Sequence, residues 1–200
     1  MKIIVIEGLE GAGKTTLCNA LCKYLSRSAN VSFVKKSYDK TGMSGPGIAL
    51  LTESPSVSLS NHTLFFLYLA RLAGKIDVIQ EDSSSDYILV DRLHLSLYYR
   101  AKILFGIDEA LIKYSIDHMM DMIQENIHVI NLICSYELGK KRKKGNELRR
   151  REFIDFDLSK KYWNEYIYST KEIPTINTSH KTPFEVYKTA LKLINIDGFA

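Results

Sequence analysis

Short runs of branched apolar residues alternate along this chain with longer stretches whose apolar positions return every three or four residues. The short runs, at 2–6, 31–35, 87–90, 128–133 and 173–177, read as strands buried on both sides. The longer stretches at 63–79, 95–105, 109–125 and 153–169 read as helices. Another helix follows Lys14, where Leu17, Leu21, Tyr24 and Leu25 recur at helical spacing. The last begins at Thr182, a good N-cap, with Pro183 in the first turn and Glu185 three residues after the cap. Alternation of this kind predicts an α/β fold, a five-stranded parallel sheet with helices on both faces. Two stretches break the pattern. Residues 38–60 are rich in Gly, Ser and Pro and read as a loop around a short helix. Residues 81–86, with Ser83, Ser84 and Ser85, read as a connecting turn.

A chain of 200 residues, 46% hydrophobic and 25% charged, suits one domain over 1–200 with a sizeable core. No apolar run approaches the length of a membrane span. Met1, Lys2 and Ile3 run directly into a strand, so we expect no removable leader and a cytoplasmic protein with no membrane partner. Cys18, Cys22 and Cys134 fit a reducing compartment and have no spacing that suggests a metal site, so packing roles are expected for them. The net charge of +4 is mild, but basic residues concentrate between Lys140 and Arg151. No interleaving of aromatic and basic residues suggests a nucleic-acid platform.

The strongest chemical signal is the turn after the first strand. Gly8-Leu9-Glu10-Gly11-Ala12-Gly13-Lys14-Thr15 matches the P-loop pattern G-x-x-x-x-G-K-[ST]. The glycines permit a tight turn whose N–H groups point inward, and the following helix presents its positive end. Gly8, Glu10, Gly11, Ala12, Gly13, Lys14, Thr15 and Thr16 are therefore expected to hold the phosphates of a nucleotide. Lys14 reaches the outer phosphates, and the Thr15 hydroxyl coordinates Mg²⁺. This makes the expected architecture the three-layer P-loop NTPase fold.

The third strand ends in Asp91-Arg92. Strand ends of an open parallel sheet line the ligand crevice, so Asp91 is expected beside the metal and Arg92 beside an acceptor phosphate. Between Gly139 and Glu152 lies a strongly basic segment containing Arg142 and Arg150. It reads as a lid whose arginines spread the charge of a transferring phosphoryl group while the closed lid keeps water out.

These residues, in this order, resemble the thymidylate kinases, P-loop nucleoside monophosphate kinases, over nearly the whole chain. The segment from Ile6 to Thr16 is similar to the family's P-loop. Asp91-Arg92 with Ser96 resembles its Asp-Arg motif. Glu137 with Arg142, and Gly145-x-Glu147-Leu148-x-Arg150-x-Glu152, resemble its lid, and Tyr166 fits the tyrosine of the following helix. Arg71 resembles the arginine that hydrogen-bonds thymine. The resemblance implies ATP, Mg²⁺, dTMP as acceptor, dTDP as product and a homodimer. It implies catalytic roles for Lys14, Asp91, Arg92, Arg142 and Arg150, and substrate contacts from Asp39, Leu67, Arg71, Arg92, Ser96 and Tyr99. The chain departs from the family at the base pocket, where Leu67 stands in place of a phenylalanine and Phe66 is adjacent. It departs also at Lys36-Ser37-Tyr38-Asp39, which has no proline, and at Arg149, where the family has Asp.

Other readings are a related kinase for another or modified nucleotide, and a deoxynucleoside kinase. The last must deprotonate a hydroxyl and needs a carboxylate base, for which Glu7 and Asp39 are candidates. A GTPase switch normally carries Asn-Lys-x-Asp, which is absent. A motor ATPase usually ends its metal-binding strand in an acidic pair, whereas Arg92 follows Asp91 here. A nucleic-acid patch would bind in a salt-sensitive way that ATP does not compete away.

Overall fold

The computed structural model describes residues 1–35, 47–48, 51–52, 58–123, 126–143 and 156–194. Five strands form one sheet: β1 (Lys2–Gly8), β2 (Val31–Val34), β3 (Tyr87–Asp91), β4 (Ile127–Ile133) and β5 (Thr175–Asn177). Their spatial order is β2-β3-β1-β4-β5, and every neighbouring pair is parallel. The helices are α1 (Lys14–Leu25), α2 (Asn61–Glu81), α3 (Leu95–Tyr99), α4 (Glu109–Met120), α5 (Tyr136–Arg142), α6 (Phe156–Ser169) and α7 (Pro183–Leu193). This is the five-stranded parallel sheet with helices on both faces that the alternation predicts, with the P-loop following β1.

β1 is central, so its residues are buried on both faces and its apolar run is continuous. Ile3, Val5, Ile88 and Val90 face the layer of α2, α3 and α4. Ile4, Ile6, Leu89 and Leu132 face α1 and α7. Each such side chain, fully buried, contributes about 1.5–3 kcal/mol relative to exposure. A third cluster joins Tyr162, Trp163 and Tyr166 of α6 to Leu9 and Tyr136, and so packs α6 against the P-loop.

Local chemistry sets the element ends, and they differ from the periodicity in places. α2 starts at Asn61 because the Ser60 hydroxyl accepts from the Thr63 N–H at 3.1 Å. The capping box at α7 forms as its spacing predicts, with both Thr182 and Glu185 closing on each other's N–H groups at 3.3 and 2.7 Å. The helix expected over 95–105 is α-helical only to Tyr99. Arg100–Leu104 is a π-helical turn, closed by the Phe105 N–H on the Arg100 carbonyl at 3.1 Å. β5 begins at Thr175, because Pro174 has no N–H and only its carbonyl joins the ladder, accepting from Asn131 at 2.9 Å. The start of the basic segment is a short helix, α5, capped by the Ser135 hydroxyl on the Leu138 N–H at 3.3 Å. The rest of the expected lid, 144–152, and most of 38–60 lie outside the described residues.

Candidate functional site

The P-loop leaves β1 at its C-terminal end, at the middle of the sheet. Gly8, Gly11 and Gly13 all have positive φ, at 138°, 73° and 94°. A side chain at Gly8 would also collide with the Leu132 carbonyl of β4, at 2.0 Å. Gly13 caps α1 in the left-handed conformation, and a Cβ there would meet nothing within 4 Å. The loop is thus a cradle that glycine alone can form without strain. The Lys14 ammonium is buried and donates to the Leu9 carbonyl at 2.6 Å. Burial pushes it down to about 8, and nearby Arg92 adds to that shift.

Beside the cradle, the Thr15 hydroxyl donates to Asp91 Oδ2 at 2.7 Å. This hydroxyl and carboxylate are hard oxygen donors of the kind Mg²⁺ prefers, one carboxylate with the remaining positions left to water and phosphate. The fit is therefore good. The residues also fit a nucleotide's phosphates, since a glycine turn with positive φ at Gly8, Gly11 and Gly13 leads into the start of α1 with Lys14 beside it.

Arg92 has φ of 66°, the one positive-φ non-glycine residue among those described. The conformation costs a residue with a side chain about 1–2 kcal/mol. It turns the guanidinium back over the P-loop, where it donates to the Gly8 carbonyl at 2.9 Å, to Ser96 Oγ at 2.6 Å and to Glu10 Oε1 at 2.6 Å. Arg100, aimed inward by the π-helical turn, reaches the same Glu10 oxygen at 3.5 Å. Ser96, a predicted substrate contact, is buried; its hydroxyl accepts from Arg92 and donates to Glu7 Oε2, so it links Arg92 to that carboxylate.

Glu7 also accepts from the N–H groups of Leu93, Leu95 and Ser96, at 2.8, 3.0 and 3.3 Å. It is fully buried. A carboxylate committed to four donors holds the turn after β3 and is poorly suited to take a proton from a sugar hydroxyl.

Sequence reasoning missed Lys75. It stands three residues after Leu72 and four before Ile79, on the buried stripe of α2, and a lysine there was the available signal. Its ammonium donates to the carbonyls of Asp91 and Arg92 at 2.6 and 2.7 Å. Gly139 was read only as the border of a basic run. It instead lies against the P-loop at Gly11, and each glycine leaves no room for a side chain on the other.

At the other end of the crevice, Arg71 lies over the Tyr68 ring at 5.5 Å and Arg100 lies over the same ring at 4.9 Å. Arg71 also donates to Thr52 Oγ1 at 3.3 Å. Tyr68, next to the half-buried Leu67, is therefore the aromatic ring among these arginines. Tyr99 meets Tyr98 and Tyr166 edge-on, with centroids 5.0 and 5.2 Å apart. Arg142 reaches the outer side of the P-loop: it donates to the Gly11 carbonyl at 3.2 Å and to Thr178 Oγ1 and O at 3.1 and 3.0 Å. Asp39 and Arg150 lie outside the described residues. Lys14, Thr15, Asp91, Arg92 and Glu10 are brought together at one place, and Arg142 stands to one side of them.

The arrangement gathers Lys14 and Arg92 about the P-loop, with the Thr15–Asp91 oxygen pair beside it. The family model of thymidylate kinase matches residues 6–188. A thymidylate kinase of Geotalea uraniireducens is 26% identical over 141 residues, 70% of this chain and 66% of that protein. One of Danio rerio is 30% identical over 95 residues, 47% of this chain and 44% of that protein. The chain thus spans about two-thirds or less of the length of these two relatives. Among solved structures, a thymidylate kinase of Candida albicans has a TM-score of 0.69 at 21% identity, covering 96% of this chain and 90% of its own. That of Ehrlichia chaffeensis has a TM-score of 0.68 at 17% identity, covering 98% of both. These two likenesses carry the fold, and the match over 6–188 carries the family. The chain belongs to the thymidylate kinase family of nucleoside monophosphate kinases.

Proposed function

We propose that this chain transfers the γ-phosphoryl group of ATP to the phosphate of dTMP, giving dTDP, with Mg²⁺. The observation that carries the reading is the junction of Asp91 and Arg92 with the P-loop. One residue bonds Thr15 at 2.7 Å and the next bonds the Gly8 carbonyl at 2.9 Å. A metal-side carboxylate and an acceptor-side cation therefore leave the same strand end in different directions.

In this mechanism the loop N–H groups, Lys14 and the α1 terminus hold the donor phosphates. Thr15 and Asp91 would hold Mg²⁺, which would neutralise phosphate charge. Arg92 neutralises the acceptor phosphate, held in line by Gly8, Ser96 and Glu10. Arg71, Tyr68, Leu67 and Tyr99 are the residues that would meet the base, with Asp39 a further contact. Arg142 steadies the donor side, and Arg150 closes from a lid over about 139–152. A phosphate oxygen is already a nucleophile at neutral pH, so positioning and charge neutralisation suffice and no strong base is required. The commitment of Glu7 to four donors favours this over a deoxynucleoside kinase.

We also propose a single domain, as the length and composition suggest, working in the cytoplasm as the homodimer that the family resemblance implies. Among the described residues, no helix is long and apolar enough to cross a membrane. The metal assignment is tested by Asp91→Asn. It should lower kcat and raise the Mg²⁺ concentration needed for half-maximal rate. An unchanged Mg²⁺ requirement would remove Asp91 from the metal site.

A further inference from the structure

The strained turn at Arg92 is held by a clamp, and the clamp is a buried lysine. The peptide planes on both sides of Arg92 are each bonded at both ends. In the first plane, the Arg92 N–H donates to the Ile6 carbonyl at 3.1 Å, and the Asp91 carbonyl accepts from Lys75 Nζ at 2.6 Å. In the second, the Leu93 N–H donates to Glu7 Oε1 at 2.8 Å, and the Arg92 carbonyl accepts from the same Lys75 Nζ at 2.7 Å. One ammonium thus fixes both carbonyls, and with them the two backbone rotations at Arg92.

Lys75 is a costly residue for this place. It lies on the core stripe of α2, 9% exposed, where an apolar residue would bury without desolvating a charge. Burial pushes its ammonium down to about 8, while Asp91 and Glu7 act to keep the charge. An apolar side chain would fill the volume but leave the buried Asp91 carbonyl and the part-buried Arg92 carbonyl without this partner. The turn would then be free to relax toward an ordinary φ, and the guanidinium would leave the Gly8 carbonyl.

We infer that Lys75 is a positioning residue for phosphoryl transfer. It locks the Asp91–Arg92 turn, so that Asp91 faces Thr15 while Arg92 faces the P-loop, and thereby fixes the acceptor-side cation relative to the donor cradle. The inference rests on the kinase reading above, and acts through Arg92 rather than through contact with substrate.

The test compares Lys75→Met and Lys75→Gln in the unsubstituted protein and in an Arg92→Lys background, with thermal melting to verify folding. In the unsubstituted background Lys75→Met should lower kcat by about 10–100-fold, the scale of a small misplacement of a charged group. KM for ATP should change by less than about twofold, because the donor cradle is left intact. Lys75→Gln should recover part of the rate by donating to the same carbonyls. In the Arg92→Lys background Lys75→Met should cost about twofold or less, because residues acting through one another are not additive. A folded Lys75→Met enzyme with unaltered kcat overturns the inference, and so does an equal loss in both backgrounds. Where Lys75→Met does not fold, the same comparison is read on Lys75→Gln: a loss confined to the background with Arg92 supports the clamp, and an equal or absent loss overturns it. An unsubstituted chain inactive toward every nucleoside monophosphate overturns the kinase reading and this one together. An active chain with the outcomes just named overturns this one alone.

Discussion

Gly11 and Gly139 pack backbone to backbone. A Cβ on Gly11 would lie 2.5 Å from the Gly139 carbonyl oxygen, and a Cβ on Gly139 would lie 2.7 Å from that of Glu10. The second would also meet Trp163 Cζ2 at 2.9 Å, and Trp163 is held in place by its own bond to the Cys134 carbonyl at 3.0 Å. The P-loop therefore rests directly on α5. Gly139→Ala should push the loop away from α5. We expect a loss of about 1–3 kcal/mol of stability, the usual cost of overpacking, and a raised KM for ATP. Thermal melts and steady-state kinetics check this, and an alanine variant with native Tm and KM would show that the contact can yield.

In the proposed mechanism Lys14 supplies the charge that meets the donor phosphates. Lys14→Ala should lower phosphoryl transfer by at least about a hundredfold, on the scale of losing one preorganised donor, while leaving the fold intact. Activity within a few fold of the unsubstituted protein would mean that the donor binds elsewhere.

Arg142 was expected over the transferring group, and its guanidinium instead ties the Gly11 carbonyl to Thr178. Arg142→Ala should therefore raise KM for ATP by about tenfold, the worth of one charged hydrogen bond, with a smaller effect on kcat. The opposite split, with kcat falling and KM unchanged, would return Arg142 to the transition state.

The turn at 81–86 gives a pH dependence. Partial burial would raise the Asp82 carboxyl, but hydrogen bonds from the side chains of Ser32 and Ser85 and the N–H groups of Ser84 and Ser85 hold it down at about 2. A carboxyl lowered in the folded state contributes stability above its unfolded value of 3.8, and loses that contribution as pH falls through about 2. Asp82→Asn should thus be less stable than the unsubstituted protein at neutral pH. The gap in Tm should close between about pH 4 and 2. A gap that persists at pH 2 would assign the effect to packing.

Much of this molecule can be read from its residues one after another. β1, the P-loop and α1 were legible because a buried strand, a glycine turn and a helical repeat follow directly in sequence. Asp91 and Arg92 were legible because strand ends of parallel sheets face the crevice. The features that escaped depend on contacts across the sheet. Gly139 touches Gly11 from more than a hundred residues away. Lys75 sits in a helix whose apolar stripe masks the one charged residue that reaches inward. Glu7 reads as a possible base in the sequence, but its four donors come from the turn after β3 and the start of α3. The π-helical turn that aims Arg100 at Glu10 leaves no mark on the apolar spacing of 95–105.

The central claim is acceptance of the γ-phosphoryl group by a nucleotide phosphate. The most direct measurement is ADP formation from ATP and Mg²⁺ with dTMP, dUMP, other nucleoside monophosphates and thymidine as separate acceptors. The account predicts turnover with dTMP well above the others and none with thymidine. Transfer to thymidine in preference to dTMP, or no acceptor-dependent ADP formation at all, would contradict it.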